Sequence, residues 1–164
     1  TDSHLLTIHA SGFTPTDAGL IPTGEILPVE GTPLDFRTPH AIGERIGRTD
    51  YEPLAFGNGY DHNWVLDKPE AGTVSLAAEA YEPATGIRMK IYTDQQGLQF
   101  YAGQGMDGKE VGKRGDRHNF RSGIALETQN FPDAPNHDNF PSSVLRPGET
   151  YTQHTVYAFE TDEQ

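Results

Sequence analysis

Apolar residues in this chain return at every second position in short runs, and helix-like spacing is scarce. Such alternation places successive side chains on opposite faces of a strand. It predicts strands over 4–10, with Leu6, Ile8 and Ala10 on one face, and over 24–29. A third covers 60–67, with His62, Trp64 and Leu66 on one face and Asp61, Asn63 and Val65 on the other. Strands over 73–80 and 87–93 form a hairpin about Glu82-Pro83-Ala84-Thr85-Gly86. Residues 97–102 set Leu98 and Phe100 against Gln99 and Tyr101. Residues 122–129 set Ile124, Leu126 and Thr128 against Ala125, Glu127 and Gln129, and a last strand covers 151–160. Gly12, Pro15, Asp17, Gly19 and Pro22 predict turns through 11–23, while 48–59 and 103–119 read as loops. One short helix is predicted over 39–46, capped by Thr38, with Pro39 at its first position and Gly47 after its end. Its apolar stripe, Ala41, Ile42 and Ile46, is small, so it needs tertiary support.

Composition agrees with an all-β chain: 18 Gly and 12 Pro punctuate the alternating runs. The 164 residues suffice for one domain with a core, so 1–164 is taken as a single region. There is no Cys, which excludes disulfides, thiolate metal sites and a Cys nucleophile. Net charge is −12 and the 12 Lys and Arg are scattered, which argues against nucleic acid as a partner. No apolar run approaches a membrane span, and no signal-peptide pattern is visible. The chain starts at Thr1 rather than Met, so it is expected to be processed, trimmed or part of something longer.

Three strands carry a polar residue opposite an apolar face: Asp61, Gln99 and Glu127. A sheet with one face in the core and a concave polar face would gather them, and such a surface suits sugar hydroxyls. Glu127 precedes a Pro-rich turn and is a candidate general acid or base, while the local pattern by itself favours an ordinary solvated carboxylate. Other motifs carry less. Gly103-Gln104-Gly105-Met106-Asp107-Gly108 matches G-x-G-x-x-G, but no apolar helix follows to hold a pyrophosphate. Arg114-Gly115-Asp116 is three common residues meeting in a Gly-rich loop. The seven His form no H-x-H or H-x-x-x-H pair, so no metal site is expected. No G-x-S-x-G elbow occurs, and Ser142-Ser143 reads as turn. Trp64, the single Trp, is expected in the core, with sugar stacking the lesser alternative.

Glu127-Thr128-Gln129-Asn130-Phe131-Pro132-Asp133-Ala134-Pro135-Asn136 resembles the catalytic segment of the aldose 1-epimerases (galactose mutarotases). Four further blocks resemble the family in its order and spacing, across about residues 4–160. These are Leu20–Ile26 with Val29–Phe36, Gly59–Asn63, Gly97–Tyr101 and Leu145–Glu149. The resemblance implies a β-sandwich of large antiparallel sheets and cofactor-free interconversion of the α and β anomers of galactose, glucose and similar monosaccharides. It implies that Glu127 takes the C1 hydroxyl proton, that Asp61 binds substrate hydroxyls and that Gln99 lines the site. A Glu with a reference pKa near ~4.3 would be ionised at neutral pH, and an apolar neighbour could raise that value.

The family is about twice this length, and the resemblance covers only its C-terminal half. The family's ring-oxygen acid is a His in an N-H-x-Y-F-N-L segment, and no such segment occurs in this sequence. The expectation is therefore a catalytically incomplete chain, with the acid supplied by a second polypeptide or an N-terminal half. The alternatives are a non-catalytic carbohydrate-binding module and a structural subunit. Related enzymes of hexose phosphates would need Arg114, Arg117 and Arg121 to converge. The family's usual setting implies a cytoplasmic protein of hexose metabolism.

Overall fold

A computed structural model describes residues 1–162. Its strands are β1 (Leu5–Ile8), β2 (Ala10–Thr14), β3 (Leu27–Pro28), β4 (His40–Ala41) and β5 (Asp61–Leu66). They continue with β6 (Ser75–Glu82), β7 (Ile87–Thr93), β8 (Gly97–Tyr101), β9 (Ala125–Gln129) and β10 (Thr155–Thr161). They make two five-stranded sheets in the orders β10-β7-β6-β1-β4 and β3-β2-β5-β8-β9, and the strand pairs are antiparallel. The all-β chain expected from alternation forms, and it forms as the sandwich that the resemblance implies.

One core joins the two sheets. Leu6, Ile8, Ala78 and Ile91 come from the first, and Phe13, Trp64, Leu98 and Phe100 from the second; all are buried. Phe36 lies between them, with ring centroids 5.2 Å from Tyr60, 6.1 Å from Trp64 and 6.0 Å from Phe100. Segment 29–36 is pinned there by polar atoms that would otherwise be orphaned. The Tyr60 hydroxyl donates to Pro33 O at 3.1 Å, and Trp64 Nε1 donates to Leu34 O at 3.0 Å. Trp64 is thus a core residue, as the alternation predicts.

Several predicted boundaries are corrected. The single strand expected over 4–10 is two strands in different sheets, and part of the expected 11–23 turn is β2. His9 is the switch: its N–H donates to Ala77 O at 2.8 Å, beside the first sheet. Its carbonyl accepts from Asp67 N at 2.9 Å, beside the second. A strand that changes sheets at a sandwich corner satisfies its backbone on both sides. The strand expected over 24–29 shrinks to Leu27–Pro28.

The expected helix over 39–46 is only α1 (Ile42–Arg45), with no side-chain cap. His40 and Ala41 are extended because they pair with Leu6 and Leu5 of β1. Thr38 bonds the His40 ring at 3.3 Å instead of capping. A second helix, α2 (Glu52–Gly57), occupies the expected 48–59 loop. Pro53 lies in its first turn, and Asn58 ends it at φ 50, which passes the Gly59 N–H to Leu54 O at 3.0 Å.

On one side of the sandwich two sheet edges meet. β9 and β10 are the last strands of their sheets and lie together there: the Tyr157 hydroxyl donates to Leu126 O at 3.2 Å, and Thr128 and Thr155 share a 2.7 Å hydroxyl contact. Phe159, 69% exposed, and Val156, Tyr157 and Phe120 stand unburied. No helix among the described residues is long and apolar enough to cross a membrane.

Candidate functional site

The polar face of the second sheet collects the predicted residues. Pairing sets Asn63 of β5 opposite Gln99 of β8, and Gln99 opposite Glu127 of β9, in one cross-strand row. Neighbouring strands stand about 5 Å apart, so the row spans roughly 10 Å. Asp61 lies one pair further along the same face, opposite Tyr101. Their alternation partners Trp64, Leu98, Phe100 and Leu126 are buried in the core, which forces these polar side chains outward.

Asp61 and Gln99 touch: Gln99 Nε2 donates to Asp61 Oδ1 at 2.8 Å. Glu127 is exposed, with no side-chain hydrogen bond or ion pair among the described residues. It stands on the edge strand, across the ladder from Gln99. A cleft of about 80 Å³ has Asp61, Asn63 and Gln99 at its polar side. Leu20, Pro22 and Pro132 form its apolar side. The Thr16 hydroxyl, also in that lining, is buried without a hydrogen-bond partner among the described residues. A larger cavity of about 410 Å³ opens beside Tyr101, under the loop carrying Asp107, Glu110 and His118. The smaller cleft is the candidate site because bonded polar side chains converge there, with Glu127 on the edge strand outside its lining, whereas Asp107 in the larger one is paired with Lys109.

The loops that wall the cleft are fastened to each other. His137 Nε2 lies 3.2 Å from Pro22 O and 3.3 Å from Asp133 Oδ2, and Asn139 Nδ2 donates to Gly24 O at 2.9 Å. Gly24 is at φ +87, and a Cβ there would come within 2.6 Å of the His137 ring nitrogen. These contacts explain why the Leu20–Ile26 segment and the turn after β9 form one structure.

His62 is the neighbour of Asp61 but points the other way, buried between Phe13 and Trp64. Its Nδ1 accepts the Asp61 backbone N–H at 3.0 Å, and its Nε2 lies 3.1 Å from Pro53 O in α2. Those partners assign the neutral tautomer with the proton on Nε2. Burial pushes its pKa down to about 4, against a smaller opposing effect of the Pro53 carbonyl.

Three participants went unrecognised at sequence level. Asn63 and Gln129 share the polar faces by alternation, yet only the register shows that they meet: Gln129 Nε2 donates to Asn63 Oδ1 and to Gln99 Oε1, each at 3.2 Å. Thr14 joins through its hydroxyl, 3.3 Å from Asn63 Nδ2; its strand had been assigned to a turn. Among the described residues, no group of three His, Asp or Glu is arranged to hold a metal ion. Arg117 donates to Gly108 O at 2.9 Å and Arg121 pairs with Asp2, so these two arginines serve different partners.

Comparison with known proteins shows which family the chain is similar to. The family model for aldose 1-epimerase matches residues 1–158. The galactose mutarotase of Rattus norvegicus is 41% identical over 156 residues, covering 95% of this chain and 43% of the relative. That of Homo sapiens is 40% identical over 158 residues, covering 96% and 44%. The solved structure of a GalM/aldose epimerase homologue from C. elegans superposes with a TM-score of 0.84 at 31% identity, covering 98% of this chain and 46% of that one. The chain therefore spans less than half the length of the relatives it matches. With the match running along nearly all of its residues and the sandwich shared, the chain belongs to the aldose 1-epimerase family.

Proposed function

We propose that this chain supplies the base and the hydroxyl-binding floor of a mutarotase site, which interconverts the α and β anomers of galactose- and glucose-type aldoses. Glu127 is the base that takes the C1 hydroxyl proton. Asp61 and Gln99 hold hydroxyls. The ring-oxygen acid comes from a second polypeptide or segment equivalent to the N-terminal half of the family. The observation that carries this reading is the cross-strand row that sets Glu127 opposite Gln99, with Gln99 bonded to Asp61.

The chemistry follows from these groups. As the carboxylate removes the C1–OH proton, the acid protonates the ring oxygen, and the C1–O5 bond opens to the aldehyde. Rotation about C1–C2 presents the other carbonyl face, and the reverse transfers close the ring. Both steps are proton transfers, so the reaction requires no cofactor. Each positioned group contributes about 10²–10⁴ in rate.

The β9–β10 side of the sandwich suits the partner. It exposes the β9 and β10 edges with Val156, Tyr157 and Phe159, and unpaired edges and apolar patches invite a covering chain. Glu127 stands on β9, so a partner seated there would bring its acid beside the base. The reading assigns the assembled enzyme to hexose metabolism in the cytoplasm.

The test is Glu127→Gln in the complemented enzyme. Turnover should fall by about 10²-fold or more while sugar still binds. Near-normal turnover would put the base elsewhere.

A further inference from the structure

The side chains behind Asp61 form a directional series. A carboxylate only accepts hydrogen bonds, so the Gln99 group 2.8 Å from Asp61 must be its NH₂. That leaves Gln99 Oε1 facing Gln129, which must donate to it, as it does at 3.2 Å. The same Gln129 NH₂ donates to Asn63 Oδ1 at 3.2 Å, and Asn63 Nδ2 donates to Thr14 Oγ1 at 3.3 Å. One carboxylate thus dictates which way three amides point. Asn63 is 2% exposed, so an unbonded amide there would be costly. Gly97, between the partners, makes room for the arrangement: a Cβ there would collide with Asn63 Oδ1.

We propose that Gln129 is a positioning residue for the sugar-binding pair. Held by Asn63, it locks the Gln99 amide so that its second N–H and the free Asp61 oxygen are presented to the sugar as a matched donor and acceptor. A hydroxyl both donates and accepts, and the pair offers one of each. A flipped Gln99 would set its oxygen against the Asp61 carboxylate and lose the donor. The assignment rests on the mutarotase reading of this site.

The test reads the side-chain amides directly by ¹⁵N NMR of the 164-residue chain. In Gln129→Met, hydrogen exchange of the Gln99 NH₂ should rise about tenfold, with the backbone spectrum intact. In the complemented enzyme the same variant should raise KM for galactose roughly tenfold and change kcat less than about threefold. Unchanged Gln99 signals, or an unchanged KM in an active enzyme, would overturn the proposal. Should Gln129→Met fail to fold, Asp61→Asn provides the second arm. It must shift the Gln129 amide signals, although Gln129 does not bond Asp61, and their constancy would overturn the relay. Amides that respond in a complemented enzyme inert toward galactose would support the relay and refute the mutarotase reading.

Discussion

Asp61 and His62 are chain neighbours with opposite surroundings. Asp61 faces the cleft, while His62 is sealed in the core, accepting the Asp61 N–H and bonding Pro53 O. The imidazole therefore anchors the carboxylate's own backbone to α2. Its pKa of about 4 lies below the unfolded value of about 6.5, so between those limits the unfolded chain binds the extra proton. The stabilisation is complete above pH about 6.5 and is lost as pH falls toward 4, with a total near 3 kcal/mol. Urea unfolding at pH 7 and pH 4.5 should register this loss, and His62→Phe should show a shallower acid slope. Equal slopes would mean that the ring is not buried neutral. Alternation alone put His62 inside with Trp64 and Leu66 and put Asp61 outside. The bonds that the ring makes depend on where α2 docks, and no local pattern carries that.

At the scale of elements, strands with a full alternating run were legible: β5, β7, β8 and β9 lie close to where periodicity set them. Short elements were not. α2 has six residues, too few for a repeat, and its signals were the Pro in its first turn and the Asn-Gly stop. Pro39 and Thr38 looked like a helix start, but pairing of His40 and Ala41 with β1 won, because ladder hydrogen bonds outweigh a cap on a marginal helix. The cleft wall is another such element, since the His137–Pro22 and Asn139–Gly24 bonds each join residues 115 positions apart. Gly24→Ala would put a side chain at φ +87 and against the His137 ring, so it should cost about 1–3 kcal/mol. Chemical denaturation measures that loss. A stability within a few tenths of a kcal/mol of the parent would show that the loops are not clamped there.

Viewed whole, the molecule closes its core between the sheets and leaves apolar side chains of β10 exposed beside β9. The exposed Phe159 of β10 and the edge position of Glu127 on β9 share this side, and the chain matches only 43–44% of the length of the mutarotase relatives. Amide exchange in β9 and β10 should therefore slow by at least about tenfold when a family N-terminal half is added, while central β6 changes little. Equal slowing everywhere would indicate general stabilisation rather than docking at that edge. The candidate site was readable as residue types, Asp61, Gln99 and Glu127, but not as a connected arrangement. Register supplied Asn63 and Gln129, and the N-H-x-Y-F-N-L segment expected to carry the acid does not occur in this sequence. The most direct measurement is the optical-rotation change of freshly dissolved α-galactose, with this chain alone and with the N-terminal half added. The expected result is the uncatalysed rate for the chain alone and rapid mutarotation for the pair. Full acceleration by the chain alone, or none by a stably assembled pair, would contradict it.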